Sequence, residues 1–126
     1  MMKIQAKNKE IISYELVASA HCGQTHIYGR TLEEISALHV AVIRKAESAE
    51  LRAIEQGRYA RFLLEHINDY NAVLHDKKLQ LAITLTECSV FVLKNSKRNK
   101  KGRYNKLISI LERCRADAMK LLSAVQ

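Results

Sequence analysis

A chain of 126 residues with no proline and only four glycines has few places to turn sharply. Sandwiches and barrels need a tight turn every few residues, and those turns lean on Gly and Pro. Long helices do not. Hydrophobic residues make up 48% of the chain, enough for a core at a length that suits one domain. The expectation is therefore a mainly α fold, a small helical bundle. It forms a single domain over 1–126, with an N-terminal segment 1–30 that reads as either a hairpin or a short helix and a basic loop at 95–106.

The first helix start is written at Thr31-Leu32-Glu33-Glu34. The Thr31 hydroxyl can accept from the Glu34 amide while the Glu34 carboxylate reaches back, and both glutamates suit the positive end of the helix dipole. Ile35, Leu38, Val42 and Ile43 follow at helical spacing. Ala46, Ala49, Ala53, Gly57 and Ala60 then make a stripe of small side chains, which predicts a close crossing with another helix of the chain. Gly57 is expected to break or kink the helix, because Gly costs about 1 kcal/mol relative to Ala inside one. Glu55-Gln56-Gly57-Arg58-Tyr59, read as a link between two helical stretches, resembles helical hairpins of bacterial export chaperones. The likeness spans these residues alone and carries no family assignment.

Two stretches admit two readings each. Leu63, Ile67, Tyr70, Leu74, Leu81, Leu85, Cys88 and Val92 fit one long helix from about 59 to 94, interrupted on that face by Lys77. Leu79, Leu81, Ile83 and Leu85 also alternate with Gln80, Ala82, Thr84 and Thr86. The second reading is a helix to about 76 followed by strands at 79–86 and 89–93. At the N-terminus, Ile12, Tyr14 and Leu16 alternate, and Thr25 to Tyr28 could return around Cys22-Gly23 as a hairpin; a short helix from Asn8 to Ala20 is the other option. A hairpin there pairing with strands near 79–93 would make the domain α+β. The last helix is unambiguous. Leu107, Leu111, Cys114, Ala118, Leu121, Leu122 and Val125 share one face, and Glu112, Arg113, Asp117 and Lys120 the other.

Catalytic motifs are missing. The chain has no phosphate-cradling glycine loop, no H-E-x-x-H, no G-x-S-x-G, no Cys-x-x-Cys and no E-x-x-H. His21, Cys22 and His26, with His39 as a fourth donor, offer the right ligand types for zinc but at no spacing that closes a site. Glu65, His66 and Asp69 put two carboxylates an apparent helical turn apart, on the polar side of the Leu63–Ile67–Tyr70 stripe, where a solvated face is expected. The reading is no enzyme, no metal and no cofactor. Three widely spaced cysteines, Cys22, Cys88 and Cys114, make a poor disulfide framework and read as reduced thiols of a cytoplasmic protein. Lys3, Lys7 and Lys9 before Ile11–Ala20 imitate a signal peptide, but Glu15 interrupts its apolar core. No run approaches the roughly 20 apolar residues of a membrane span.

Charge carries the strongest signal. Residues 1–87 hold 11 basic and 11 acidic side chains, so the whole net charge of +8 lies in residues 88–126. Within it, residues 94–106 contain seven basic residues and no acidic one. Lys94, Lys97 and Arg98 suit the negative end of the preceding helix dipole. Lys100 and Lys101 continue the run. Arg103 and Lys106 are not accounted for in this way, because they fall where the last helix begins and its dipole disfavours cations. Tyr104 adds a ring that could stack on a base. The segment predicts an anionic partner. The favoured expectation is a non-catalytic helical protein that binds a protein partner as regulator, adaptor, chaperone or inhibitor. The alternative is a nucleic-acid-binding accessory factor using the same residues.

Overall fold

The computed structural model describes residues 19–21, 24–27 and 30–125, with side chains for 30–124. Three short strands, β1 (Ser19–His21), β2 (Gln24–Ile27) and β3 (Arg30–Thr31), form an antiparallel ribbon in chain order. Ser19 pairs with His26 and His21 with Gln24. β2 falls within the return strand expected from Thr25; the expected turn at Cys22-Gly23 and the suggested strand around 12–16 lie outside the described residues. Four helices follow: α1 (Leu32–Lys45), α2 (Ala49–Glu65), α3 (Ala72–Lys94) and α4 (Asn105–Val125). The fold is a small helical bundle, as the missing prolines imply.

The first three helix starts each have a side chain behind them. At α1 the capping box forms in full: the Glu34 amide donates to the Thr31 hydroxyl at 3.1 Å, and the Thr31 amide to the Glu34 carboxylate at 2.9 Å. Ser48 caps α2 by accepting from the Leu51 amide at 3.1 Å, and Asn71 caps α3 by accepting from Leu74 at 3.0 Å. Those two caps relocate two boundaries. The helix break expected at Gly57 falls at 46–48 instead, and α2 runs through Gly57 without interruption. Glu55–Tyr59 is thus mid-helix and links no hairpin. The single helix expected from 59 to 94 is divided. After α2 ends, a 3-10 turn at Ile67–Asp69 leads to Tyr70 in extended conformation, and Asn71 starts α3. Asn68, Asp69 and Asn71 supply the turn chemistry that the apolar stripe concealed.

The strand reading of 79–93 is overturned, since that whole span is helical, and β2 pairs with β3 rather than with any segment there. The buried side of α3 is Leu79, Ala82, Leu85, Thr86, Ser89 and Leu93, rather than the Leu81–Leu85–Cys88–Val92 line. Thr86 and Ser89 enter the core because their hydroxyls have partners. Thr86 donates to the Ile83 carbonyl at 2.8 Å, and Ser89 donates across the helix interface to the Ala53 carbonyl at 2.6 Å. Cys88, which its spacing places on the apolar stripe, is exposed.

The small-residue stripe explains the close approach. Ala53, Gly57 and Ala60 are buried, and a Cβ on Gly57 would stand 3.0 and 3.1 Å from the two Leu111 methyls and 3.3 Å from the Ser89 hydroxyl. α3 and α4 therefore both press onto the bare backbone of α2. The core has two parts. The larger collects Phe62, Leu63, Leu79, Ala82 and Ala118 with Leu32 and Ile35 of α1. The smaller, made of Ala53, Leu93, Ile108 and Leu111, lies at the end of the bundle that carries the basic loop, with Tyr104 packed against it.

Candidate functional site

The basic segment is a folded cap rather than a loose loop. Ser96 accepts from the Arg98 amide at 3.1 Å and starts a 3-10 turn at Lys97–Asn99. The Asn99 side chain accepts the Tyr104 amide at 2.6 Å, and the Gly102 amide donates to the Asn99 carbonyl at 2.9 Å. Gly102 sits at a φ of 76°, where an L side chain is strained, and a Cβ there would come within 2.7 Å of Asn105. The segment then enters α4 at Asn105.

One carboxylate holds this cap down. Glu50, in the first turn of α2, accepts hydrogen bonds from the Ser96 hydroxyl and from the Tyr104 hydroxyl, the latter at 3.3 Å. The Arg98 guanidinium approaches the same carboxylate at 3.5 Å. Lys94 pairs with Glu112 of α4 at 2.9 Å. The sequence-predicted residues thus divide in two. Lys94, Arg98 and Tyr104 are engaged within the fold. Lys97, Lys100, Lys101, Arg103 and Lys106 are exposed, and none of the described carboxylates forms an ion pair with them. Arg103 instead lies over the Tyr104 ring, 5.9 Å from its centre. Glu50 itself was not legible as part of this site, because it lies 46 residues before Ser96 in the chain.

Tyr104 bears on what can bind here. Its ring packs on the Leu93–Ile108–Leu111 cluster, one side faces Arg103, and its hydroxyl is spent on Glu50. Stacking on a base would require giving these contacts up. The amide of Tyr104, at the mouth of α4, is already taken by Asn99.

The second constellation has a different geometry from the one expected. Glu65 and Asp69 do not share a helix, since α2 stops at Glu65. His66 is buried at 7% exposure, not solvated, and its ring lies 4.8 Å from that of Phe62. Its Nδ1 faces the Asp69 carboxylate at 3.3 Å, while Nε2 stands 3.9 Å from Glu65, too far for a hydrogen bond. A carboxylate orienting a histidine is half of a nucleophile-activating arrangement. Nε2 is buried, however, without a hydroxyl or thiol in hydrogen-bond reach among the described residues. The Ser36 and Tyr70 hydroxyls are also buried, and they interact with each other rather than with His66.

His39, considered as a metal ligand, faces the interior. It stacks on Tyr59 at 5.0 Å and contacts Phe62 at 5.1 Å. Burial, helped by the nearby charge of Arg58, lowers its pKa from 6.5 to about 3. Among the described residues no cluster of three or more His, Cys, Asp or Glu is placed to hold a metal ion, and no helix is long and apolar enough to cross a membrane. No protein-family model, no curated protein and no solved structure matches this chain.

Proposed function

We propose that this is a non-catalytic cytoplasmic binding protein whose basic cap docks on an acidic surface of a protein partner. One observation carries the reading. The cap is fixed in shape by Glu50, yet five of its cations point outward without a carboxylate of the described residues to neutralise them. A purely structural use of these charges would leave them paired or spread around the surface. A rigid cluster pre-pays the ordering cost of an electrostatic contact and raises its association rate. The nucleic-acid alternative has less support, because Tyr104 and the amide at the start of α4 are occupied.

Replacing Lys97, Lys100, Lys101 and Lys106 by Gln tests the reading while leaving the Glu50 contacts intact. Capture of the protein partner from nuclease-treated lysate should be lost. Stability in urea should change by less than about 0.5 kcal/mol, as for exposed side chains without buried contacts. Tight binding to duplex DNA would instead move the function to nucleic acid, if log affinity fell with log salt at a slope near −0.9 per phosphate contact and that slope flattened in the variant.

A further inference from the structure

The cap is not the only cationic surface at its end of the bundle. Glu50 draws it against the start of α2, beside the turn that joins α1 to α2. That turn carries Arg44 and Lys45 in the last turn of α1 and Arg52 in the first turn of α2, all exposed. Arg52 folds back over the turn, donating to the Ala46 carbonyl at 3.3 Å, which keeps its charge at this end of the molecule. Between Glu50 and Arg52 sits Leu51, 51% exposed. An apolar side chain left open among cations is a poor fit to a phosphate backbone. It is a good fit to a peptide that offers acidic and apolar side chains together.

We infer that the docking surface extends from the basic cap across the α1–α2 turn, through Arg44, Lys45, Leu51 and Arg52, and takes an acidic peptide segment that carries an apolar side chain. The inference rests on the reading of the cap as a protein-docking site and names the chemistry of its partner. The dimensions agree. Packed elements stand about 8–10 Å apart, so α1, α2 and the cap make an end roughly 20 Å across. An extended segment of about six residues, at about 3.3 Å each, spans it. The local carboxylates among the described residues do not block such a partner: Glu50 is committed to Ser96, Arg98 and Tyr104, which leaves Glu47 against eight exposed cations from the turn and the cap.

The test is fluorescence anisotropy on the full chain with three labelled probes: an acidic peptide containing leucine, its leucine-free counterpart, and a DNA duplex. Substituting Arg44, Lys45 and Arg52 together by Ala should weaken both peptides about tenfold at low salt, the sum expected of three exposed ion pairs. Leu51→Ser should cost the leucine peptide alone about fivefold and leave the salt dependence unchanged. If the triple variant unfolds, Lys45→Glu replaces it, since Lys45 is exposed and forms no hydrogen bond or ion pair through its side chain among the described residues. Peptide binding that the Gln variant of the cap loses but the turn variants retain would overturn the extension and leave the cap reading standing. Peptide binding indifferent to both sets would overturn both. Duplex binding that depends on the turn cations, with weak peptide binding, would overturn the peptide in favour of nucleic acid.

Discussion

Acidifying the protein from neutrality toward pH 3 is expected to remove on the order of 4 kcal/mol of stability through His39 alone. Folding holds this imidazole neutral, stacked on Tyr59 and against Phe62, with Arg58 opposing its protonation. Its folded pKa of about 3 lies below the unfolded value of 6.5. The unfolded chain therefore takes up a proton first as the pH falls. The stability is fully present above pH 6.5, declines between 6.5 and about 3, and does so at up to about 1.4 kcal/mol per pH unit. Urea melts across this range should show that slope, and His39→Gln should flatten it whatever the variant does to stability at neutral pH. An identical slope in the variant would mean that His39 is protonated in the folded protein.

Leu111→Ala should destabilise by about 2–5 kcal/mol, the range for deleting a packed leucine, and toward its upper half. Leu111 is fully buried, and its two methyls fill the space that Gly57 leaves open on α2. The surrounding positions, Ala53 and Gly57, have no flexible side chains to collapse into the vacancy. Urea denaturation reads the loss directly. A change below about 0.5 kcal/mol would place α4 off the core and contradict the packing described above.

The parts of the fold that the sequence announces are those with local causes. The Thr31 capping box needs only residues three apart, and the apolar face of α4 repeats strongly enough to read unaided. Even there the register shifts: Ile108 is buried and Leu121 is 40% exposed, because α4 lies against α3 and α2 together. The buried face of α3 stayed hidden since two of its members are Thr86 and Ser89, polar residues that become core residues only when carbonyls of Ile83 and Ala53 receive them. The Ser48 cap was masked by alanines on either side, which continue a helical pattern across the break. At the candidate site the cations were legible as a run of charge. Which of them stay outward was not, since that depends on Glu50 and Glu112, residues remote from the run.

The order in which the helices touch has a kinetic consequence. α1 packs on α2, α2 on α3 and α3 on α4, so most contacts join neighbours along the chain. Such a chain has low relative contact order and belongs with the fast folders, which reach the native state in microseconds to milliseconds. The seating of the cap on Glu50, like the packing of Leu111 on Gly57, joins distant parts of the chain, 46 and 54 positions apart. It can close only after α2, α3 and α4 have come together, because its anchor Tyr104 rests on a cluster to which all three contribute. The basic surface therefore takes its shape only once these three helices have packed at that end, and loses it when that end opens.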